Sequence, residues 1–132
     1  MAAPGPSVPL QVGFNRRPSL LRVHVTGAST LDNTLAYWQA IVAEVARAPT
    51  DAILVVDQLA GVPLTQGEWL SLVRHMAGHG LERVRIAHVR PAGLQEMEYC
   101  EIFARDAGFH ARVFDDERAA ELWLRYGEPL GD

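Results

Sequence analysis

The 132 residues suffice for one compact domain with its own core and are short for two. Apolar residues make up 48% and charged residues 21%, the balance of an ordinary globular protein. Sixteen acids against 12 basic residues give a net charge of −4, which argues against the broad basic face of a nucleic-acid-binding protein.

Residues 1–9 hold Pro4, Pro6 and Pro9 and predict a flexible, extended N-terminal tail. A strand is expected over Leu10 to Asn15 and a turn at Arg16-Arg17-Pro18-Ser19. Leu20 to Thr26, β-branched and partly alternating, is a better strand, and Gly27-Ala28-Ser29-Thr30 is expected to break it. From Asp32 to Arg47, Leu35, Trp38, Val42 and Val45 recur at helical spacing, with Thr30 or Asp32 as cap and Pro49 closing the helix. Ala52 to Val56 is an unbroken apolar run ending in Asp57, as in a parallel strand covered on both faces.

Thr65-Gln66-Gly67-Glu68 has the form of a capping box, a hydroxyl with a carboxylate three positions on. The helix behind it carries Trp69, Leu72, Val73 and Met76 and is expected to end near Gly78 or Gly80. Arg83 to Arg90 predicts a strand with Val84 and Ile86 on one face and Ala87 and Val89 on the other. Pro91 suits the first turn of a third helix bearing Met97, Cys100, Phe103, Ala104 and Ala107, which Gly108 stops. Ala111 to Phe114 is the last strand. Asp115 or Asp116 caps a fourth helix with the stripe Ala119, Leu122, Trp123 and Tyr126, and Gly127 follows it. Residues 10–127 thus form the domain and 128–132 a C-terminal tail. The order β-β-α-β-α-β-α-β-α requires crossover connections. The expected fold is a single α/β domain, a mixed and mostly parallel sheet with four helices and an antiparallel N-terminal strand.

One cysteine, Cys100, leaves no intrachain disulfide and no multi-cysteine metal site, and suits a reducing compartment. No run reaches the ~18 apolar residues of a membrane span. The N-terminus has neither the basic nor the apolar region of a signal peptide, so a cytoplasmic location is expected.

Three stretches resemble a known family. They are the apolar strand ending in Asp57 with Leu59-Ala60-Gly61-Val62 and a helix behind it, the strand Val84-Arg85-Ile86-Ala87, and Val113-Phe114-Asp115-Asp116 followed by Glu117 to Leu124. Together they are similar to the SpoIIAA-like fold of anti-sigma-factor antagonists and STAS modules, most of all to its uncharacterised bacterial members. The resemblance spans about four-fifths of the chain and implies a regulatory or protein-interaction role, with self-association as a homodimer one form of it. The kinase-regulated antagonists carry Asp-Ser-Ser/Thr-Gly where the second helix begins. Here that place holds Leu64-Thr65-Gln66-Gly67, which lacks the aspartate and offers Thr65 as the candidate phosphorylation site, with Gln66 beside it. A phosphate at a helix N-terminus gains from its free N–H groups. The plainer role of Thr65 is the cap itself.

Ligands of open α/β sheets favour the carboxyl ends of the strands. Those ends offer Ser29, Thr30, Asp57, Gln58, Arg90, Asp115 and Asp116. Arg90 can hold an anion there with Asp57 orienting it, or the two can form an ion pair with no ligand. His75 and His79, four apart, can share a helix face and chelate a metal, but no third ligand or HExxH pattern accompanies them, so no metal is expected. Cys100 sits on the apolar side of its helix, where a buried thiol is more natural than a nucleophile served by His24, His88 or His110. No Gly-rich phosphate loop, serine elbow or carboxylate pair is found, so neither enzyme activity nor a cofactor is expected. Tyr99, Ile102 and Phe103 carry apolar character well round the third helix. The excess can cover a neighbouring helix, make a protein contact, or line a cavity with Trp69 for a small apolar or lipid-like ligand. The functional expectation is therefore a non-enzymatic interaction module, with a binder of an apolar ligand as the alternative. The other arginines, interleaved with acids, read as solvated surface.

Overall fold

The computed structural model describes residues 9–91 and 98–127. Five strands form one sheet in the order β1-β2-β3-β4-β5: β1 (Gln11–Arg17), β2 (Leu20–Ala28), β3 (Ala52–Ala60), β4 (Arg85–Val89) and β5 (His110–Phe114). β1 is antiparallel to β2, and all later pairs are parallel. Between and after them run α1 (Leu31–Arg47), α2 (Gln66–Met76), α3 (Glu98–Asp106) and α4 (Glu117–Tyr126). The α/β architecture expected from the sequence, mostly parallel with four helices, is the observed one.

Parallel strands added in one direction by crossovers of one hand keep the connecting helices on one face. Accordingly Tyr37 and Ile41 of α1, Trp69 and Leu72 of α2, and Cys100 and Ala104 of α3 share one core with Leu21, Val23, Ile53, Val55 and Ile86. α4 follows the last strand and folds to the other face, where Ala120, Trp123 and Leu124 cover Leu54, Val56, Ala87 and Val89. β3 is covered on both faces, as its unbroken apolar run demands, and each fully buried aliphatic side chain contributes about 1.5–3 kcal/mol.

Several boundaries shift from the expected ones. Pro18 and Ser19 alone make the hairpin turn, Ser19 at φ 61°, so Arg16 and Arg17 complete β1. Gly27 and Ala28 do not break β2 but end it. Gly27 has φ 136°, and a Cβ there would lie 3.0 Å from the Leu10 Cα, so the close approach of the preceding chain requires glycine. α2 stops at Met76, before Gly78 and Gly80, and Leu81–Arg83 is a 3₁₀ turn that delays β4 to Arg85. Pro91 lies outside α3, and the expected helix start up to Met97 lies outside the described residues, as do residues 1–8 and 128–132 of the two tails.

Two helix faces also differ. The buried face of α1 is Thr34, Tyr37, Trp38 and Ile41, with Leu35, Val42 and Val45 partly buried beside it. Its centre moves because the phenol of Tyr37 follows a buried polar group. In α4, Ala120, Trp123 and Leu124 are buried, while Ala119, Leu122 and Tyr126 of the expected stripe are exposed. Two stripes of this short helix fit helical spacing. Packing of Trp123 on Phe114, ring centroids 5.8 Å apart, selects between them.

Candidate functional site

Side chains alternate along a strand, so polar residues that continue an apolar row face the same core. On β3 the row Ile53, Val55 is continued by Asp57; along β4 and the residues flanking it the row Val84, Ile86 runs on to His88 and then Arg90. These groups meet under α1, where Tyr37 joins them. Asp57 Oδ2 accepts from the Tyr37 hydroxyl at 3.0 Å and from His88 Nε2 at 2.9 Å. Asp57 Oδ1 accepts from the Leu59 N–H at 3.0 Å and, at 3.5 Å, from Arg90 Nη1. Arg90 Nη2 donates to the Leu59 carbonyl at 3.3 Å. Trp38 and Trp69 stand edge-on to the His88 ring, with centroids at 5.8 and 6.3 Å.

The cluster is sealed: Asp57 is 1% exposed, His88 3% and Arg90 9%. Burial drives the Asp57 carboxyl up, but His88, the Leu59 N–H and Arg90 together outweigh it and hold it below its ordinary value. The same burial, with the Asp57 charge nearby, pushes the Tyr37 hydroxyl well above its ordinary value. An ionised Asp57 makes Nε2 of His88 the protonated nitrogen. Among the described residues Nδ1 is then left without a partner, as is the indole nitrogen of Trp69. Aspartate and histidine in this arrangement make a proton-transfer pair, here almost wholly buried among the described residues. The cluster ties β3, β4 and α1 together.

Of the expected site residues, Asp57 and Arg90 are brought together as an ion pair, not as an open rim. Thr30 and Asp116 cap α1 and α4, and Gln58 contacts His24 at 2.6 Å. Thr65 caps α2 in a full capping box: its hydroxyl accepts from the Glu68 N–H at 3.1 Å, and Glu68 accepts from the Thr65 N–H at 2.9 Å. Gln66 is exposed beside it. Trp69 is buried on His88, while Tyr99 is exposed and stacks on Phe103 at 6.2 Å, so the three do not line a common cavity. A cavity of about 50 Å³ lies nearby, walled by Trp38, Met76, His88, Cys100 and Phe109, with room for about a water or two.

Cys100 is buried, and desolvation raises its thiol to about 12, the state of an inert packing residue. His75 contacts the Ser71 carbonyl through Nδ1 at 3.1 Å. His79 lies beyond the end of α2, so the two histidines do not share a helix face. No group of three metal-ligating side chains occurs among the described residues. No described helix is long and apolar enough to cross a membrane. The sequence reading named Asp57 and Arg90 but missed Tyr37 and the pairing of His88. Period-two continuation of the β4 row was the available signal for His88; for Tyr37 there was none.

Compared with known proteins, the chain matches no family model and no curated relative.

Proposed function

We propose that this protein is a non-enzymatic, STAS-like interaction module that works by protein contact through α3, with self-association as its simplest form. The observation that carries the reading is the outer face of α3. Tyr99 is 44% exposed and Ile102 52%, and Phe103 supports the Tyr99 ring from below. The inner face of α3 is already satisfied by Cys100 and Ala104 in the core with Phe103 packed beside them, so the exposed Tyr99 and Ile102 are not needed to hold α3 on the sheet. The strand and helix order supports the STAS-like part of the reading. The phosphorylation switch of the kinase-regulated antagonists gains little support, because a phosphate on Thr65 would meet the Glu68 carboxylate that already completes the cap. The apolar-ligand alternative gains little support, because the cavity between sheet and helices among the described residues, about 50 Å³, is far below the roughly 300 Å³ at which small-molecule sites begin.

The test is a concentration series by sedimentation velocity and amide NMR on the full chain and on Ile102→Glu. The expected result is a concentration-dependent dimer whose shifting amides map to α3, and which Ile102→Glu dissociates while keeping its fold. A monomer at all concentrations with static α3 amides, or a dimer indifferent to Ile102→Glu, would overturn the proposal.

A further inference from the structure

A groove of about 700 Å³ opens at the amino ends of the strands on the α4 side, at the end of the sheet away from the Asp57 cluster and with no residue of α3 in its lining. Its floor is a cross-strand row in register: Leu20 of β2 beside Ala52 of β3, then Arg85 of β4, then His110 of β5. Arg17 reaches it from the end of β1, Arg83 from the turn before β4, and Arg125 from the last turn of α4. Four guanidinium groups therefore line an opening that holds two carboxylates, Asp51 and Glu121, in a chain whose net charge is −4.

Glu121 is engaged by Arg17 at 3.6 Å. Arg85 is held in place from behind, its Nη1 donating to the Leu124 carbonyl at 2.8 Å and its guanidinium lying 6.0 Å over the Trp123 ring. Among the described residues, Arg83, Arg85 and Arg125 make no ion pair with a carboxylate. Like charges gathered round one concavity repel unless an anion joins them, and the planar arginine fork matches phosphoryl oxygens in pairs. The volume lies within the roughly 300–1,000 Å³ of small-molecule sites. The negative remainder of the chain disfavours a long polyanion but not a small one enclosed by the arginines.

We infer that this groove binds a small phosphate-bearing metabolite, the phosphoryl group on Arg83, Arg85 and Arg125 and a ligand hydroxyl on Asp51. The inference stands apart from the α3 proposal and does not depend on it.

Calorimetric and amide-shift titrations of the full chain with inorganic pyrophosphate and with ribose 5-phosphate test it, with ribose as the phosphate-free control. Both phosphate compounds should bind, shift amides around Arg83 and Arg125, and weaken with added salt; ribose should not bind. Arg83→Ala and Arg125→Ala alter exposed side chains and should retain the native near-ultraviolet spectrum. Each should weaken pyrophosphate about tenfold, as expected for loss of a charged hydrogen bond. Arg74→Ala, on the opposite face, should leave the affinity unchanged. Absence of heat and of shifts with both phosphate compounds would overturn the inference. So would equal weakening by Arg74→Ala, which would mark a general charge effect.

Discussion

Replacing Asp57 by alanine removes the acceptor shared by the Tyr37 hydroxyl, His88 Nε2 and the Leu59 N–H, and leaves Arg90 without its buried carboxylate. Breaking a buried ion pair from one side costs about 3–5 kcal/mol, because the surviving charge and orphaned donors remain desolvated. Arg90 lies nearest the surface of the four and can turn toward water, so the middle of that range, about 4 kcal/mol, is expected. That is a large part of the roughly 5–15 kcal/mol that stabilises a domain. Asp57→Asn keeps an oxygen for two of the donors and should cost about 2 kcal/mol. Urea unfolding followed by tryptophan fluorescence reads the loss directly, since Trp38 and Trp69 flank His88; the midpoint should fall with the slope unchanged. The pH dependence has a definite sign. The folded carboxyl lies below its unfolded value, so its contribution is present above about pH 4 and lost as pH falls through the folded value. Wild type should lose stability steeply on that acid limb, and Asp57→Asn should lose it less steeply. A loss for Asp57→Ala below about 1 kcal/mol, the level of an exposed ion pair, would refute the idea that this cluster is a sealed, mutually dependent unit.

Cys100 should resist a thiol reagent in the native protein and react only at the rate of unfolding. Its raised thiol adds stability that is full below pH 9 and declines as pH climbs toward about 12, so Cys100→Ala should flatten the alkaline limb; rapid native labelling would contradict the burial. On α4, Trp123→Ala should cost about 3–5 kcal/mol and Leu122→Ala less than about 0.5 kcal/mol in the same urea assay. Equal losses would restore the other stripe.

Much of the fold was legible because it depends on local chemistry. The Thr65–Glu68 box, the apolar run of β3 and the Trp69, Leu72, Val73, Met76 stripe each state their structure within a few residues. The faces of α1 and α4 were not. Tyr37 is buried for the sake of Asp57, twenty residues away, and Trp123 is chosen by Phe114, so spacing within the helix underdetermines both.

The arginines mark the same boundary more sharply. The sequence by itself determined an acidic α/β chain with Asp57 and Arg90 expected at the carboxyl ends of two strands, and it singled out Arg90 as the one arginine standing where a ligand could need it. Tertiary structure realises the ion-pair reading, turning Arg90 inward onto Asp57, and gathers Arg17, Arg83, Arg85 and Arg125 at the opposite end of the sheet. The physical reason is register. Parallel strands bring residues from distant parts of the chain into one row, and the return of α4 places its last turn above that row. Charges that alternate harmlessly along the sequence thereby become neighbours in space.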